Sequence, residues 1–592
     1  MKKLLLFMFL LTSILILTSS LAIASNYVRE GNIKLLAVTE AGTGSTANLN
    51  LKITEGTGRV FIDTQPLTKL DTLISTRFAN SIACDFLDKD CSDYDFFYTI
   101  KAKSAIVGGP SAGSAISVLT IAVLDNKKVP NIAITGTINS GGFIGSVGGI
   151  KSKIETAADQ GIERVFVPLG DSKFKENNTT TNLIEYGAEL GIDVVEVSDL
   201  NSAMFEIAGK MYWPENYEIE LPEIYILTMK GLANRLCEKS STLRDELLSQ
   251  GVTKALADDY IEREIEAFNF TNKAKTAIVE DLYYSAASYC YAANVIYREL
   301  LIEFVNDTDK QDIEKIREEL AEFESEIDNK PIETITDLQA YMVVKERLSE
   351  SKYFLNMTNE RLNDNDSEYS QDFAVAIERL YSARTWSDFF NKPGKKFVFN
   401  RDSLREACDN KISEAEERFQ YINTIIPFVH SSVKKELQKA HLDRDTENYV
   451  LCLFRAGKAK AETDVFINSL GVDSEDQDLL LDNKLNIAGR NIAKQITDDI
   501  FPILGYSYYE YSKDLKESQK YSSLLFSEYA LEMSNLDLYF QEVKPVKIEV
   551  HLGTNTRLIL LFIAGLLVGF AAGVFYLKHI KHKRRLKRRS KK

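Results

Sequence analysis

Histidine is scarce in this 592-residue sequence, which has only five, at positions 430, 441, 551, 579 and 582. None of them lies in the glycine-rich first third of the chain. That part therefore cannot by itself form a Ser-His-Asp triad or a histidine-ligated zinc site, and we predict no metal there. Any serine chemistry in this region requires a base other than histidine.

A nucleotide-binding motif is also lacking. No Gly-x4-Gly-Lys-[Ser/Thr] run occurs, and the nearest sequence, Gly148-Gly149-Ile150-Lys151-Ser152, does not have the spacing that cradles phosphates. We therefore expect no cofactor, and we expect any activity to be independent of ATP.

Basic residues are outnumbered, with 71 Lys and Arg against 86 Asp and Glu, which gives a formal net charge of −15. Ten of the basic residues lie in the last fifteen positions, so the rest of the chain carries −25. A strongly acidic body repels polyanions and argues against nucleic acid as a partner.

Both ends of the chain carry long apolar runs. Residues 1–24 have two lysines, an apolar stretch and a small-residue ending, which predicts a secretory signal peptide or, alternatively, an uncleaved anchor. Residues 558–577 form a second apolar run that predicts a single transmembrane helix, and the basic tail 578–592 is expected to stay in the cytoplasm. The sequence thus predicts a single-pass protein of the cell membrane with an extracytoplasmic body.

Glycines recur at every fourth position of this apolar run, at Gly565, Gly569 and Gly573. Small residues at this spacing let two membrane helices approach closely, so the pattern raises the possibility of a homo-oligomer.

The six cysteines all lie in the part predicted to be outside the cell, where disulfides persist. Cys84 and Cys91 are close enough in sequence to pair across a small loop. Pairs Cys237–Cys290 and Cys408–Cys452 would complete a sequential pattern, although six cysteines allow fifteen pairings.

The texture of the sequence divides the body in two. Residues 26–213 alternate strand-like and helix-like patterns, which predicts an α/β domain, whereas residues 222–543 show long amphipathic helical patterns and predict an all-α domain. In the second part, apolar residues from Ile313 to Ile327 are spaced alternately by three and four. This spacing favours one helix packed on its neighbours over a free coiled coil.

A serine and a lysine in the α/β part are candidates for a catalytic pair. Ser111 lies between Gly109-Pro110 and Ala112, just before an apolar helical pattern, so backbone amides of this loop could stabilise an oxyanion. Lys151 begins a second helical pattern after a pair of glycines, and a lysine buried there could serve as a base. Taken singly, Ser111 fits a helix cap and Lys151 fits a solvated first turn.

Three motifs in this part resemble the proteolytic domain of Lon proteases, which use a Ser-Lys dyad. They are Gly109-Pro110-Ser111-Ala112-Gly113, Thr135-Gly136-Thr137-Ile138 and Gly148-Gly149-Ile150-Lys151-Ser152-Lys153, in the family's order and near its spacing. The resemblance covers roughly a third of the chain and implies an α/β Lon-protease-like fold. It implies that Ser111 is the nucleophile, that Lys151 is the general base and that Thr135 orients the lysine amine. With no ATPase module, the chain looks like the membrane-bound Lon-like proteins of archaea.

Two functions follow as hypotheses. The first is an ATP-independent, membrane-anchored serine endopeptidase that cleaves exported or cell-surface polypeptides. The second is a catalytically silent Lon-like scaffold whose helical ectodomain binds surface partners. The large helical part motivates the second, as do Gly108 and Thr137, which stand where many Lon proteins have acidic residues. The retention of both Ser111 and Lys151 favours the first.

Overall fold

The computed structural model describes most of the chain between its ends: residues 28–39, 42–102, 109–176, 179–214, 216–249, 258–304, 310–364, 366–426, 431–470, 472, 476–543 and 554–589. The predicted signal peptide, 1–24, and Gly108 lie outside these residues. The described chain divides into a compact unit that ends at Glu542 and a second unit, Val543–Lys592.

The first part of the compact unit is built on a mixed seven-stranded sheet with strand order β11-β8-β5-β1-β2-β4-β3. Strands β1 and β2 pair antiparallel, as do β2 and β4, whereas β1, β5, β8 and β11 run parallel and β3 is parallel to β4. Two short hairpins, β6-β7 and β9-β10, stand apart from this sheet. The strands are β1 (Val28–Val38), β2 (Gly44–Glu55), β3 (Val60–Gln65), β4 (Tyr94–Ala102), β5 (Ile132–Ile134), β6 (Thr137–Ile138), β7 (Ile144–Gly145), β8 (Arg164–Pro168), β9 (Lys173–Glu176), β10 (Thr179–Asn182) and β11 (Asp193–Val197).

Helices cover the sheet. Along β2, Ala47, Leu49, Leu51 and Ile53 are buried in alternation with exposed positions, because side chains of a strand point alternately to its two faces. The helices of this part are α1 (Leu70–Phe86), α2 (Gly113–Leu124), α3 (Ile150–Asp159), α4 (Leu183–Glu189) and α5 (Leu200–Ala208). Every residue of α2 is buried, so this apolar helix lies inside the core.

The second part is helical, as the sequence predicts, and packs against the first within the same compact unit. The predicted boundary between 213 and 222 coincides with the start of the long helices. The division into two domains at this point stays a prediction. The helices are α6 (Glu223–Ser249), α7 (Asp258–Val279), α8 (Tyr283–Phe304), α9 (Lys310–Asp328), α10 (Ile335–Asn363), α11 (Tyr369–Trp386), α12 (Arg401–Ile425), α13 (Ser431–Asp445), α14 (Tyr449–Ser469), α15 (Gln477–Thr497), α16 (Ile503–Leu515) and α17 (Lys520–Met533).

The apolar seam from Ile313 to Ile327 forms one face of α9. Ile313, Leu320, Phe323 and Ile327 are buried in the main core of the helical part. The predicted packing of one helix on its neighbours is therefore confirmed.

All three predicted disulfides are present: Cys84–Cys91, Cys237–Cys290 and Cys408–Cys452. The first ties the end of α1 to the start of the sheet strand β4. The other two each join a pair of helices, α6 with α8 and α12 with α14.

The second unit contains one long helix, α18 (Thr554–Arg589), which includes the predicted span 558–577 and the three glycines of the predicted helix contact. Among helices within the described ranges, none combines the length and the apolar character that crossing a membrane requires. The side chains of residues 558–561 and 564 lie outside the described residues.

Candidate active site

Ser111 lies in a tight turn, residues 110–112, that leads directly into α2. Gly109, just before this turn, is tied to α1, because its backbone amide donates to the Asp71 carboxylate over 3.0 Å. The turn is also tied to the sheet, because the Ser111 carbonyl accepts the Gly136 amide at 3.1 Å. The nucleophile predicted from the sequence therefore stands at the N-terminus of a buried helix, as predicted.

Thr135 lies directly after the buried strand β5, and its amide donates to the Phe166 carbonyl in β8 over 3.1 Å. Its hydroxyl donates to the Ser111 carbonyl at 3.4 Å. The same hydroxyl oxygen accepts a hydrogen bond from a lysine ammonium. That lysine is Lys153, whose Nζ lies 3.0 Å away.

Lys153 is almost completely buried, with 2% of its surface exposed. Burial lowers the pKa of its amine to about 8, against the opposing effect of the Asp171 carboxylate. An amine with this pKa has a substantial neutral fraction near neutral pH, which a general base requires.

Lys151 lies on another side of α3. It is half-buried, and its ammonium lies 5.5 Å from the ring centre of Phe174 and 5.7 Å from that of Tyr186. The structure therefore does not bring the predicted base to Thr135, and the expected burial of Lys151 is not found. Two residues apart on a helix, the side chains of Lys151 and Lys153 point about 200° apart, so only one can face the core.

Helical periodicity contains the signal that separates the two lysines. The buried residues of α3 are Ile150, Lys153, Ile154 and Ala157, which follow the i, i+3, i+4, i+7 spacing of one helix face. Gly149 starts this helix with a φ of +72°, and a Cβ there would meet Val38 of β1 at 2.5 Å. The close approach of α3 to the sheet is what buries Lys153.

Among the described residues, Asp171 is the acidic group that acts on the Lys153 pKa, and the sequence motifs did not identify it. Its carboxylate accepts the Ser146 hydroxyl at 2.7 Å and the Val147 amide at 3.2 Å. Burial raises its own pKa to about 7, opposed by these hydrogen bonds and by Lys153. Above pH 7 it therefore places a negative charge near the lysine.

A crevice opens beside Ser111 between the end of β1, the start of β2 and the start of α1, with roughly 400 Å³ of empty space including that open to solvent. Gly109 and Ala112 border it together with the serine. Of the other predicted loop residues, Pro110 is buried beneath the turn. The crevice is narrow and leaves Ser111 at its border.

Residues 23–200 match the family model of the Lon protease (S16) C-terminal proteolytic domain. This match confirms the predicted resemblance and covers the strands, the turn of Ser111 and α3. The helical part lies beyond it.

Individual Lon proteases show the same relation. The chain is 38% identical over 93 residues to Lon protease 2 of Borreliella burgdorferi, which is 16% of this chain and 11% of that protein. It is 31% identical over 147 residues to the Lon protease of Clostridioides difficile, covering 23% and 18% of the two chains. It is 29% identical over 202 residues to the Lon protease of Mycoplasma mobile, which is 31% of this chain and 22% of that protein. The matched stretch is thus at most about a fifth of each relative's length.

Proposed function

Since residues 23–200 form a Lon-type proteolytic domain, we propose that the protein is a serine-type peptidase in which Ser111 is the nucleophile and Lys153, rather than Lys151, is its base. The observation that carries this proposal is the hydrogen-bonded chain from the Lys153 amine through the Thr135 hydroxyl to the Ser111 carbonyl.

In this mechanism the neutral Lys153 amine takes the proton of the Ser111 hydroxyl as the oxygen attacks a peptide carbonyl. The amine then returns the proton to the leaving nitrogen when the peptide bond breaks, which leaves an acyl ester on Ser111. Water, deprotonated by the same amine, hydrolyses the ester. Thr135 holds the amine in place throughout.

The negative charge that develops on the substrate oxygen needs backbone donors at the start of α2. Gly109 is less suited than the sequence suggested, because its amide already donates to Asp71. The amide of Ala112, at the N-terminal end of the buried helix, is the better candidate, and the helix dipole favours negative charge there.

Substrates of this peptidase are proposed to be extended or unfolded segments of exported polypeptides, cleaved without ATP. The absence of a P-loop motif from the sequence supports the independence from ATP. The narrowness of the crevice beside Ser111 disfavours folded substrates.

The proposal is tested by treating the purified full-length chain with a fluorophosphonate and locating the adduct by mass spectrometry. We expect one adduct on Ser111 that is absent from a Ser111→Ala variant of unchanged circular dichroism. If the folded chain takes no adduct at neutral or alkaline pH, the peptidase is refuted and the scaffold function is favoured.

We also propose that residues 558–577 anchor the chain in the cell membrane with the basic tail in the cytoplasm. The support is the sequence itself, in which twenty consecutive residues without a charge precede fifteen residues of which ten are basic. We expect the full chain to stay with membranes during alkaline carbonate extraction and a chain ending at Val543 to be released. Release of both would contradict the anchor.

A further inference from the structure

The helical part of the chain contacts the Ser111 site directly through α12. One face of this helix packs against the proteolytic domain and carries Lys411, Arg418 and Tyr421, which are seven and then three residues apart. Lys411 lies 5.9 Å from the Phe78 ring of α1, Arg418 donates to the Ile138 carbonyl over 2.6 Å, and the Tyr421 hydroxyl accepts the Gly148 amide at 2.9 Å. The same helix contacts the turn that contains Ser111.

A second helix, α14, reaches the same region from its C-terminal end. The side-chain oxygen of Asn468 accepts a hydrogen bond from the backbone amide of Ser146 at 3.1 Å. The side-chain nitrogen of Asn468 donates to the Glu528 carboxylate in α17 over 2.9 Å. A Cβ on Gly145 would lie only 2.6 Å from that Asn468 oxygen, so the glycine permits the contact.

The three contacted backbone groups belong to one segment, residues 137–149, which links Thr135 to the helix of Lys153. Ile138 lies in β6, while Ser146 and Gly148 lie in the loop before α3. The carbonyl of Ile138 and the amides of Ser146 and Gly148 thus bond to side chains of the helical part. The buried Ile138 carbonyl needs such a partner, whereas Ser146 is half-buried and Gly148 is exposed. Together the three hydrogen bonds tie this segment to the helical part at both of its ends.

The segment also carries two residues that bond to Asp171. Ser146 and Val147 donate to Asp171, the carboxylate that acts on Lys153. Burial raises the pKa of Tyr421 to about 12, and Asp171, Arg418 and Glu417 are the charged groups that also act on it. Tyr421 is therefore close to the charged surroundings of the lysine.

We propose that Arg418, Tyr421 and Asn468 are positioning residues of the peptidase, which hold segment 137–149 so that Lys153 meets Thr135. The inference rests on the proposed function. It makes the helical part a component of the active site, and it gives this part a role that does not require a separate binding partner.

Tyr421→Phe tests the inference because it removes one hydrogen-bond acceptor and keeps the ring. The matched control is Tyr289→Phe, which removes a tyrosine hydroxyl that donates to Asp514 over 2.6 Å, within the helical part. We expect Tyr421→Phe to lower kcat for an unstructured peptide roughly fivefold with little change in KM, the effect of one hydrogen bond. Tyr289→Phe should leave both constants unchanged.

The pH dependence of fluorophosphonate labelling gives a readout that general destabilisation does not move. When the loop at Gly148 loosens, water reaches the Lys153 amine and its pKa rises toward 10.4. The midpoint of the labelling rate should therefore move to higher pH in Tyr421→Phe and stay in place in Tyr289→Phe.

A second pair repeats the comparison at the other contact. Asn468→Ala should act as Tyr421→Phe does, whereas Asn294→Ala, which removes an equally buried asparagine bonded to the Leu236 carbonyl, should not. The inference alone is overturned if the fluorophosphonate labels Ser111 of the unaltered chain but the two variants of each pair show the same pH dependence of labelling. If the unaltered chain does not label, the proposed function fails and the inference with it.

Discussion

Replacing Lys153 with methionine is expected to lower kcat/KM for peptide cleavage by about 10²- to 10⁴-fold, the usual contribution of a general base. Methionine keeps the length and apolar character of the buried stem and removes only the amine, which bonds to Thr135 at 3.0 Å. The loss should therefore appear in activity and in Ser111 labelling, with thermal unfolding little changed. Peptide cleavage followed by mass spectrometry measures the rate.

Lys151→Met is the matched control, two residues away on the same helix. Its ammonium lies against Phe174 and Tyr186 instead of Thr135, so its loss should change kcat/KM by less than about threefold. If Lys151→Met abolished cleavage and Lys153→Met did not, the base would be Lys151, as the motif alone suggested.

The pH dependence of the unaltered chain belongs to the same prediction. Burial lowers the pKa of the Lys153 amine to about 8, and only the neutral amine can accept a proton. The rate of Ser111 labelling should therefore rise with pH through a midpoint near 8. A midpoint near 10.4, the value of an ordinary lysine, would contradict a buried base.

Replacing Glu532 with glutamine is expected to destabilise the folded chain by about 3–5 kcal/mol, because it removes the carboxylate that two buried ammonium groups share. Of the described carboxylates, Lys411 would keep only Glu414, at 3.1 Å, and Lys460 only Asp464, at 3.7 Å. Glu532, in α17, is 1% exposed and accepts Lys411 at 2.8 Å, together with Lys460 and the Ser140 hydroxyl of the proteolytic part. Burial alone would raise the Glu532 pKa, but the two lysines hold it at about 2. The urea midpoint, followed by fluorescence of Trp213 and Trp386, reports the loss.

Glu333→Gln makes the same chemical change at a surface ion pair with Lys396, in which both side chains are more than half exposed. It should cost less than about 1 kcal/mol. Because the Glu532 pKa is lower in the folded chain than in the unfolded one, its stabilisation is present above about pH 4.3 and is lost as pH falls through about 2. The difference between the unaltered chain and Glu532→Gln should therefore shrink in acid. Equal urea midpoints for Glu532→Gln and Glu333→Gln at neutral pH would refute this role.

Much of the proteolytic domain could be predicted from local patterns. The alternation along β2 and the apolar run of α2 are short-range signals, and the turn of Ser111 and the helix that follows it lie within fifteen residues. The Cys84–Cys91 disulfide joins residues seven positions apart and is equally local. Such features depend on neighbours in the chain, so the sequence contains them directly.

The motif could not predict whether Lys151 or Lys153 is the base. Both residues lie in one motif, and the motif does not say which of them faces the core. The spacing of Ile150, Ile154 and Ala157 places Lys153 on the apolar face of α3. The structure shows that this face packs against the sheet, where Gly149 lies close to Val38 of β1. A partner for the amine, Thr135, then lies in reach.

By itself the sequence determined an α/β domain without histidine, a serine at the start of an apolar helix, a Lon-type motif set and a long helical part. Only the tertiary structure decided that the Lys153 amine bonds to Thr135, that Asp171 acts on it, and that Arg418 and Tyr421 bond to the segment before its helix. The physical reason is that these contacts join residues up to 280 positions apart. No local periodicity encodes such pairs, because they arise only when the two parts of the chain pack together.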